Sequence, residues 1–174
     1  MCALPCSARG GYAGIYNSLK GFGAVVEIEA SPKSFNEFGL YADIYGFPSG
    51  RATFYPGGHA FWLHNRILGT FPVSDAQCSF YMGAGVAAGY GHDYESLRNS
   101  EHTYLVNPMG LSAAIAVDIG LMFEFARGMA LDFSLEAEGG MFIGKDPQGS
   151  MKLGLYRNGL YNAYYPQISI LWRF

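Results

Sequence analysis

The last twelve residues of the chain, 163–174, alternate between two kinds of side chain. Successive side chains of a β-strand point to opposite faces, so this stretch predicts a strand with two chemically different sides. The apolar side carries Tyr164, Pro166, Ile168, Ile170, Trp172 and Phe174. The opposite side, mostly small or polar, carries Ala163, Tyr165, Gln167, Ser169, Leu171 and Arg173. An apolar face with aromatic residues near both ends is typical of a β-barrel strand that crosses a bilayer.

The same period of two recurs along most of the chain, without a competing helical period. Only three residues separate the two clearest segments, 111–125 and 129–143, which predicts a tight hairpin. The predicted strands are 10–16, 21–30, 37–46, 59–71, 80–91, 111–125, 129–143 and 163–174. An even number of strands suits a barrel with both termini on one side. The sequence therefore predicts an all-β protein, an eight-stranded antiparallel up-and-down transmembrane β-barrel.

The connections between the predicted strands differ in length at the two ends of this barrel. With the C-terminus on the periplasmic side, the periplasmic turns are 31–36, 72–79 and 127–128, and the outer loops are 17–20, 47–58, 92–110 and 145–161. Three of these four outer loops are longer than any of the periplasmic turns, as is usual in transmembrane barrels. Part of the last loop, around 151–156, is expected to extend the strands above the membrane.

Composition excludes several other classes of protein. Charged residues make up 14% of the chain, against about a quarter in soluble domains. No run of roughly 18 apolar residues offers a transmembrane helix. The net charge of -3 argues against nucleic acid as a partner, because nucleic-acid binding requires a basic surface.

The first eight residues resemble the end of a secretory signal peptide. Cys6 and Ala8 occupy the -3 and -1 positions of an A-x-A-like cleavage site. We therefore expect residues 1–8 to be the remnant of a signal peptide and residues 9–174 to form a single barrel domain. Cleavage after Ala8 would leave Cys78 alone, so no disulfide framework is predicted.

Alternation alone does not identify the inner face, because a soluble lipocalin-like barrel would keep its apolar side chains inside. Two observations favour lipid outside. Glycines crowd the small face of 80–91, at Gly83, Gly85 and Gly89, where they suit a narrow interior and would only weaken a solvent-exposed strand. Aromatic residues such as Tyr90 and Trp172 gather near strand ends, as they do at bilayer interfaces.

With lipid outside, the polar faces form a lumen in which carboxylates outnumber cations. The predicted network comprises Glu27, Glu29, Glu37, Asp43, His64, Arg66, Asp118, Glu124, Asp132, Glu136, Glu138 and Arg173. Arg66 and Arg173 are expected to pair with members of this set, and His64 is a third candidate. The remaining carboxylates must hold water, bind cations or keep some protons. A polar plug that stiffens the barrel is the simpler interpretation, and a proton or cation site is the alternative.

No motif predicts a cofactor, a metal site or a catalytic residue. Residues 83–88 match a loose G-x-G-x-x-A pattern, but no helix follows it as dinucleotide binding requires. The histidines and carboxylates of loop 92–110 have no zinc-ligand spacing. Ser100 and His102 lie in that loop, where no geometry identifies an acid–base pair.

The C-terminus resembles the assembly signal of bacterial outer-membrane barrels. In that signal a final Phe follows an aromatic residue two places earlier, with a polar and a small residue further upstream. Gln167, Trp172 and Phe174 fit this pattern, and Ser169 stands where Gly is commoner. Over nearly its whole length the chain resembles small outer-membrane barrels of the OmpA/OmpX/OmpW kind.

The resemblance implies a monomeric integral protein of the outer membrane of a Gram-negative bacterium, with a plugged lumen and no cofactor. Its implied partners are outer-membrane lipid, lipopolysaccharide and the barrel-assembly machinery. A structural or surface-interaction role through the outer loops is expected. The alternative is a lipid A-modifying enzyme or a small-solute channel, although the His-x-Ser strand motif of lipid A deacylase barrels is missing. The sequence does not identify a ligand or a binding partner.

Overall fold

The computed structural model describes residues 10–17, 21–43, 57–92, 109–145, 149–158 and 167–174. These residues form strands and turns, and no helix among them is long and apolar enough to cross a membrane. The strands are β1 (Gly11–Asn17), β2 (Gly21–Ser31), β3 (Ser34–Asp43), β4 (Gly57–Val73), β5 (Ala76–His92), β6 (Met109–Phe125), β7 (Met129–Lys145), β8 (Met151–Asn158) and β9 (Gln167–Arg173).

Eight of these strands form a closed ring. Strands β1 to β7 each pair antiparallel with the next strand, and β9 pairs with β1 on one side and β7 on the other. The prediction of an eight-stranded antiparallel barrel is therefore confirmed. Hydrogen bonding around the whole ring removes the unpaired edges that an open sheet would expose, which a bilayer would not tolerate.

Strand β8 lies in line with β9 along the same edge of β7. It pairs with the half of β7 from Glu138 to Lys145, whereas β9 pairs with the other half, from Met129 to Ser134. The strand extension expected around 151–156 is thus seen as β8, which continues the barrel wall beyond β9 on the side away from the short turns. The predicted final strand, 163–174, is seen as Gln167–Arg173, and residues 163–166 lie outside the described part of the chain.

Three short connections lie at one end of the barrel, which we call the short-turn end. They are residues 32–33, 74–75 and 126–128. Gly128 has a φ of 75°, a left-handed conformation that glycine adopts without a Cβ penalty. The Gly128 carbonyl accepts a hydrogen bond of 2.7 Å from the Arg173 amide, so this turn also anchors the end of β9.

The apolar faces of the strands point away from the barrel axis. Ile115 is 67% exposed, whereas Asp118 and Glu136 are 5% and 6% exposed. A row of large exposed hydrophobic residues continues around the outer surface, including Leu40, Val86, Leu111, Leu135, Met141 and Ile143. A contiguous apolar surface of this kind marks contact with a membrane or a partner, and its coverage of successive barrel strands favours a membrane.

Glycines on the inner face make room for large side chains from the neighbouring strand. A Cβ added at Gly39 of β3 would overlap the ring of Phe61 of β4. A Cβ at Gly120 of β6 would overlap the phenol of Tyr81 of β5. The small interior residues noted in the sequence therefore allow aromatic rings to fill the narrow barrel.

Candidate functional site in the barrel interior

An aromatic layer occupies the barrel interior above the carboxylates, on the side away from the short-turn end. Tyr16, Tyr41, His59 and Phe61 contribute to it from β1, β3 and β4. Tyr41 stacks on His59 with ring centroids 5.0 Å apart and planes 9° apart. Tyr16 contacts Tyr41 at 5.5 Å and Phe61 at 6.0 Å. These tilted and stacked arrangements are the geometries that aromatic pairs prefer.

Carboxylates dominate the polar part of the interior. Six of them are buried: Glu27, Glu37, Asp118, Asp132, Glu136 and Glu138. The buried polar residues of the described chain include no lysine or arginine. Burying a charge without a partner is costly, so neutral donors, protons or bound cations must compensate these groups.

Neutral side chains supply the hydrogen bonds that three of these carboxylates receive. The Tyr81 hydroxyl lies 2.9 Å and 2.8 Å from the two carboxylate oxygens of Asp132. Asn65 Nδ2 donates to Glu37 Oε2 over 2.7 Å. A third bond of 2.9 Å runs from Gln167 Nε2 to Glu136 Oε2. A buried acceptor that lost its donor would be left unsatisfied, so each of these bonds is expected to contribute measurably to stability.

Two of the polar contacts join strands that are not neighbours in the barrel wall. Tyr81 on β5 reaches Asp132 on β7, and the Tyr12 hydroxyl on β1 donates to Glu124 Oε1 on β6 over 2.6 Å. The ring of Tyr81 also meets Phe35 of β3 edge-on, with centroids 5.1 Å apart. These contacts extend into the interior and join strands that are separated by one or two others in the barrel wall.

Other buried oxygens have no hydrogen-bond partner within the described residues. They include both carboxylate oxygens of Glu27, both of Asp118, and Oδ1 of Asn65. An unsatisfied buried acceptor costs roughly 1–3 kcal/mol, and more when it is charged. A proton or a bound cation would therefore stabilise the protein most at these oxygens.

At the short-turn end the interior opens into a cavity of about 190 Å³. Its lining includes Tyr12, Glu27, Glu29 and Glu124. An Arg173 Nη2 lies 3.9 Å from Glu29 Oε1 in a half-exposed contact at the cavity mouth. Surface ion pairs of this kind contribute little, with typical values of about 0–1 kcal/mol.

The predicted lumen positions of His64 and Arg66 are wrong. Both side chains are exposed on the outer surface, where His64 Nδ1 lies 3.0 Å from Asn36 Oδ1. The inner positions of this part of β4 belong to Phe61, Leu63 and Asn65. The physical reason is the space that glycines on β3 and β5 leave inside the barrel, at positions opposite these side chains. An ion pair between Arg66 and the buried carboxylates is therefore excluded.

A β-bulge in β4 makes it difficult to predict from the sequence which side chains of this strand point inward. The register with β5 shifts between Ile67 and Gly69, so that Leu68 has no counterpart. The bulge reverses the alternation, and Phe71 lies exposed although it shares odd parity with the buried Phe61 and Leu63.

The other predicted site residues lie at several levels of the barrel. Glu27, Glu37, Asp118, Asp132, Glu136 and Glu138 are buried, Glu29 and Glu124 are half-buried in the cavity lining, and Arg173 is exposed next to Glu29. The side chain of Asp43 is outside the described structure. Gln167 and Ser169 are buried, while Trp172 and Phe174 are 49% and 71% exposed. Their role as an assembly signal stays a prediction.

Sequence reasoning missed the neutral donors, namely Tyr12, Asn65 and Tyr81, together with the inward orientation of His59. A glycine faces Tyr81 across the β5–β6 ladder, at Gly120. Once the register is known, a glycine opposite an aromatic residue indicates that the aromatic side chain lies over the glycine inside the barrel. Ser100 and His102 lie outside the described residues. Within the described ranges, no group of three or more His, Cys, Asp or Glu side chains is placed to hold a metal ion.

These features define a class of protein. A closed ring of eight antiparallel strands, with an apolar outer surface and a polar and aromatic interior, is the fold of the small outer-membrane β-barrels. The resemblance to barrels of the OmpA kind is thus confirmed at the level of the fold.

Two solved structures match this chain, and the first of them shares its fold. The N-terminal β-barrel domain of Pseudomonas aeruginosa OprF matches with a TM-score of 0.56 and 11% identity, over 95% of this chain and 96% of that one. A major outer membrane protein from Thermus thermophilus matches with a TM-score of 0.46 and 11% identity, over 95% and 99% of the two chains. No protein-family model matches the sequence, and neither does any curated protein. At such low identity the likeness concerns the fold alone.

Proposed function

We propose that this chain is a monomeric integral outer-membrane protein of a Gram-negative bacterium, with a structural or surface-interaction role and a plugged lumen. Its outer surface would contact membrane lipid and lipopolysaccharide, and its long loops would meet external partners. Insertion would use the barrel-assembly machinery, with Gln167, Ser169, Trp172 and Phe174 as the signal. Localisation to the outer membrane is supported by the fold that the chain shares with OprF.

The main evidence for a plugged lumen is the set of side-chain contacts inside the barrel. Tyr81 and Tyr12 reach carboxylates on strands that are not their neighbours, and aromatic rings pack on the loop side of these bonds. Large side chains that meet inside a barrel of only eight strands leave little room for a continuous aqueous path. A stiff, closed barrel suits a structural role better than transport.

Conductance in planar bilayers tests the plug directly. The purified protein should give no single-channel steps. Replacing Tyr41 and Phe61 by alanine should open a path and produce steps, because both rings lie in the aromatic layer. A matched control is Phe38→Ala, which removes a 45% exposed ring from the outer face and should stay silent. Steps from the unmodified protein would contradict the proposal in favour of a small-solute channel.

Two further measurements address localisation and catalysis. The folded protein should need detergent for extraction and should migrate differently from the boiled sample on a detergent gel. A water-soluble monomer would refute membrane insertion. Incubation with lipid A should leave the lipid unchanged. A modification that is lost on replacing Ser100 or His102 would make the protein a lipid-modifying enzyme instead.

A further inference from the structure

The cavity at the short-turn end has the chemistry of a binding site for a cation. Three carboxylates contribute to its lining, from Glu27, Glu29 and Glu124. Two of them already have partners. The Tyr12 hydroxyl donates to Glu124 over 2.6 Å, and Glu29 receives the Gly10 amide at 3.4 Å and faces Arg173 at 3.9 Å.

Glu27 is the exception among these three carboxylates. It is only 2% exposed, and neither of its carboxylate oxygens has a hydrogen-bond partner within the described residues. Its place in the cavity lining puts this uncompensated acceptor next to a space that a ligand can enter. A positively charged donor bound there would satisfy the group that the protein itself leaves unsatisfied.

The shape and lining of the cavity favour an organic cation over a metal ion. The described residues provide no group of three or more acidic, His or Cys side chains placed around one metal. Calcium and magnesium need six or more close oxygen ligands, which these separated carboxylates do not supply. Phe35, Ile67 and Met122 also line the cavity, so part of any ligand must be apolar.

The volume of the cavity sets the size of the ligand. At about 190 Å³ it exceeds the roughly 150 Å³ of an engineered protein cavity that takes up benzene. A primary amine with a short alkyl chain fits this space. Its ammonium group would face Glu27, its chain would cover Phe35, Ile67 and Met122, and the nearby aromatic rings of Tyr12 and Phe35 favour a cation.

We propose that this cavity, which we call the Glu27 cavity, binds a small alkylammonium ion from the side of the short turns. The site is separate from the loops through which the proposed structural role would act. Arg173 lies 3.9 Å from Glu29, so its guanidinium weakens the attraction of Glu29 for a second cation and leaves Glu27 and Glu124 as the carboxylates that face the ligand.

Titration of the folded protein in detergent micelles with n-butylammonium chloride tests the proposal. Calorimetry should detect saturable binding to the unmodified protein, and n-butanol should not bind because it lacks the charge. Glu27→Gln should weaken binding at least ~10-fold, the loss expected when a hydrogen bond to a charged group is removed. The matched control is Glu138→Gln. Glu138 is also buried, but it lies on β7 and is not part of the cavity lining, so binding should be unchanged.

Three results would overturn the proposal. They are the absence of saturable n-butylammonium binding, equal binding by Glu27→Gln and the unmodified protein, and displacement of the amine by a stoichiometric magnesium ion. If Glu27→Gln loses the gel mobility of the folded form, Glu124→Gln gives the same test at a half-buried position. That variant should keep the folded mobility and weaken binding several-fold, roughly 3-fold or more, because a second charge is removed from the same cavity. Unchanged binding by a folded Glu124→Gln would equally refute the site.

Discussion

Replacing Tyr81 by phenylalanine should destabilise the barrel through a single hydroxyl group. Tyr81 is 0% exposed, and its hydroxyl is 2.8 Å and 2.9 Å from the oxygens of Asp132, itself only 1% exposed. Phenylalanine keeps the ring that meets Phe35 edge-on and removes only the donor. Without the hydroxyl, a buried oxygen of Asp132 is left unsatisfied at a cost of about 1–3 kcal/mol, so we expect the free energy of unfolding to fall by about 2 kcal/mol. The ratio of folded to unfolded protein would fall roughly 30-fold.

Equilibrium unfolding in urea, in the presence of lipid vesicles, measures this loss. The folded fraction can be followed by the gel mobility of unboiled samples. The matched control is Tyr90→Phe, because Tyr90 is 50% exposed and lies on the outer face. A surface change of this kind should alter the free energy of unfolding by no more than about 0.5 kcal/mol.

A double-mutant cycle separates the hydrogen bond from other effects of the hydroxyl. In an Asp132→Ala background the Tyr81 hydroxyl has lost its acceptor. Tyr81→Phe should then cost less than about 0.5 kcal/mol, which gives a coupling energy of roughly 1.5 kcal/mol. If the two single effects add without coupling, or if Tyr81→Phe is as stable as the unmodified protein, the interior does not depend on this bond.

Three further substitutions test the packing, the turns and the outer surface by the same unfolding assay. Gly39→Val should destabilise by about 1–3 kcal/mol, because its side chain would overlap the ring of Phe61, and Phe61→Ala should rescue it. Gly58→Val has no neighbouring atom within 4 Å at the added Cβ and serves as the control. Gly128→Ala, at a φ of 75°, should cost roughly 1 kcal/mol, and no loss would mean that this turn relaxes. Ile115→Arg places a charge at a 67% exposed position and should cost about 2–4 kcal/mol in lipid, whereas a neutral effect would contradict a lipid-facing surface.

The fold was predictable because alternation in a barrel strand reports which side each residue faces. Segments 111–125 and 129–143 alternate without interruption, and the structure gives them as β6 and β7, in a continuous antiparallel ladder. A one-residue slip would send every apolar side chain of such a strand inward, so the pattern determines orientation as well as secondary structure. The closed ring of eight follows from the number of such segments.

Strand β4 shows where this reasoning fails. Its sequence has apolar residues on both faces, since Phe61 and Leu63 alternate with Trp62. The side to be buried was set by the neighbouring strands, where Gly39 and Gly85 leave room for inward side chains. Neither the register of β3 with β4 nor the bulge near Ile67 is encoded in β4 alone. Polar residues in a barrel strand therefore do not by themselves identify the lumen.

The composition of the interior was only partly predictable for a related reason. An excess of acidic residues can be counted from the sequence, and six carboxylates are buried. The donors that satisfy them could not be found in this way, because Tyr81 and Asp132 are 51 residues apart and Tyr12 and Glu124 are 112 apart. Contacts across a barrel depend on its closure and on the stagger between strands, which no local pattern contains.

The outward position of Arg66 changes what the buried carboxylates require. The described barrel has no arginine inside, so the buried carboxylates depend on hydrogen bonds from neutral side chains. Asp132, Glu37 and Glu136 receive such bonds. Glu27 and Asp118 do not. Only Glu27 of these two contributes to the lining of the cavity at the short-turn end. A bound cation should therefore act at Glu27, whereas Asp118, enclosed by the barrel wall, must be compensated by a proton or by movement of its neighbours.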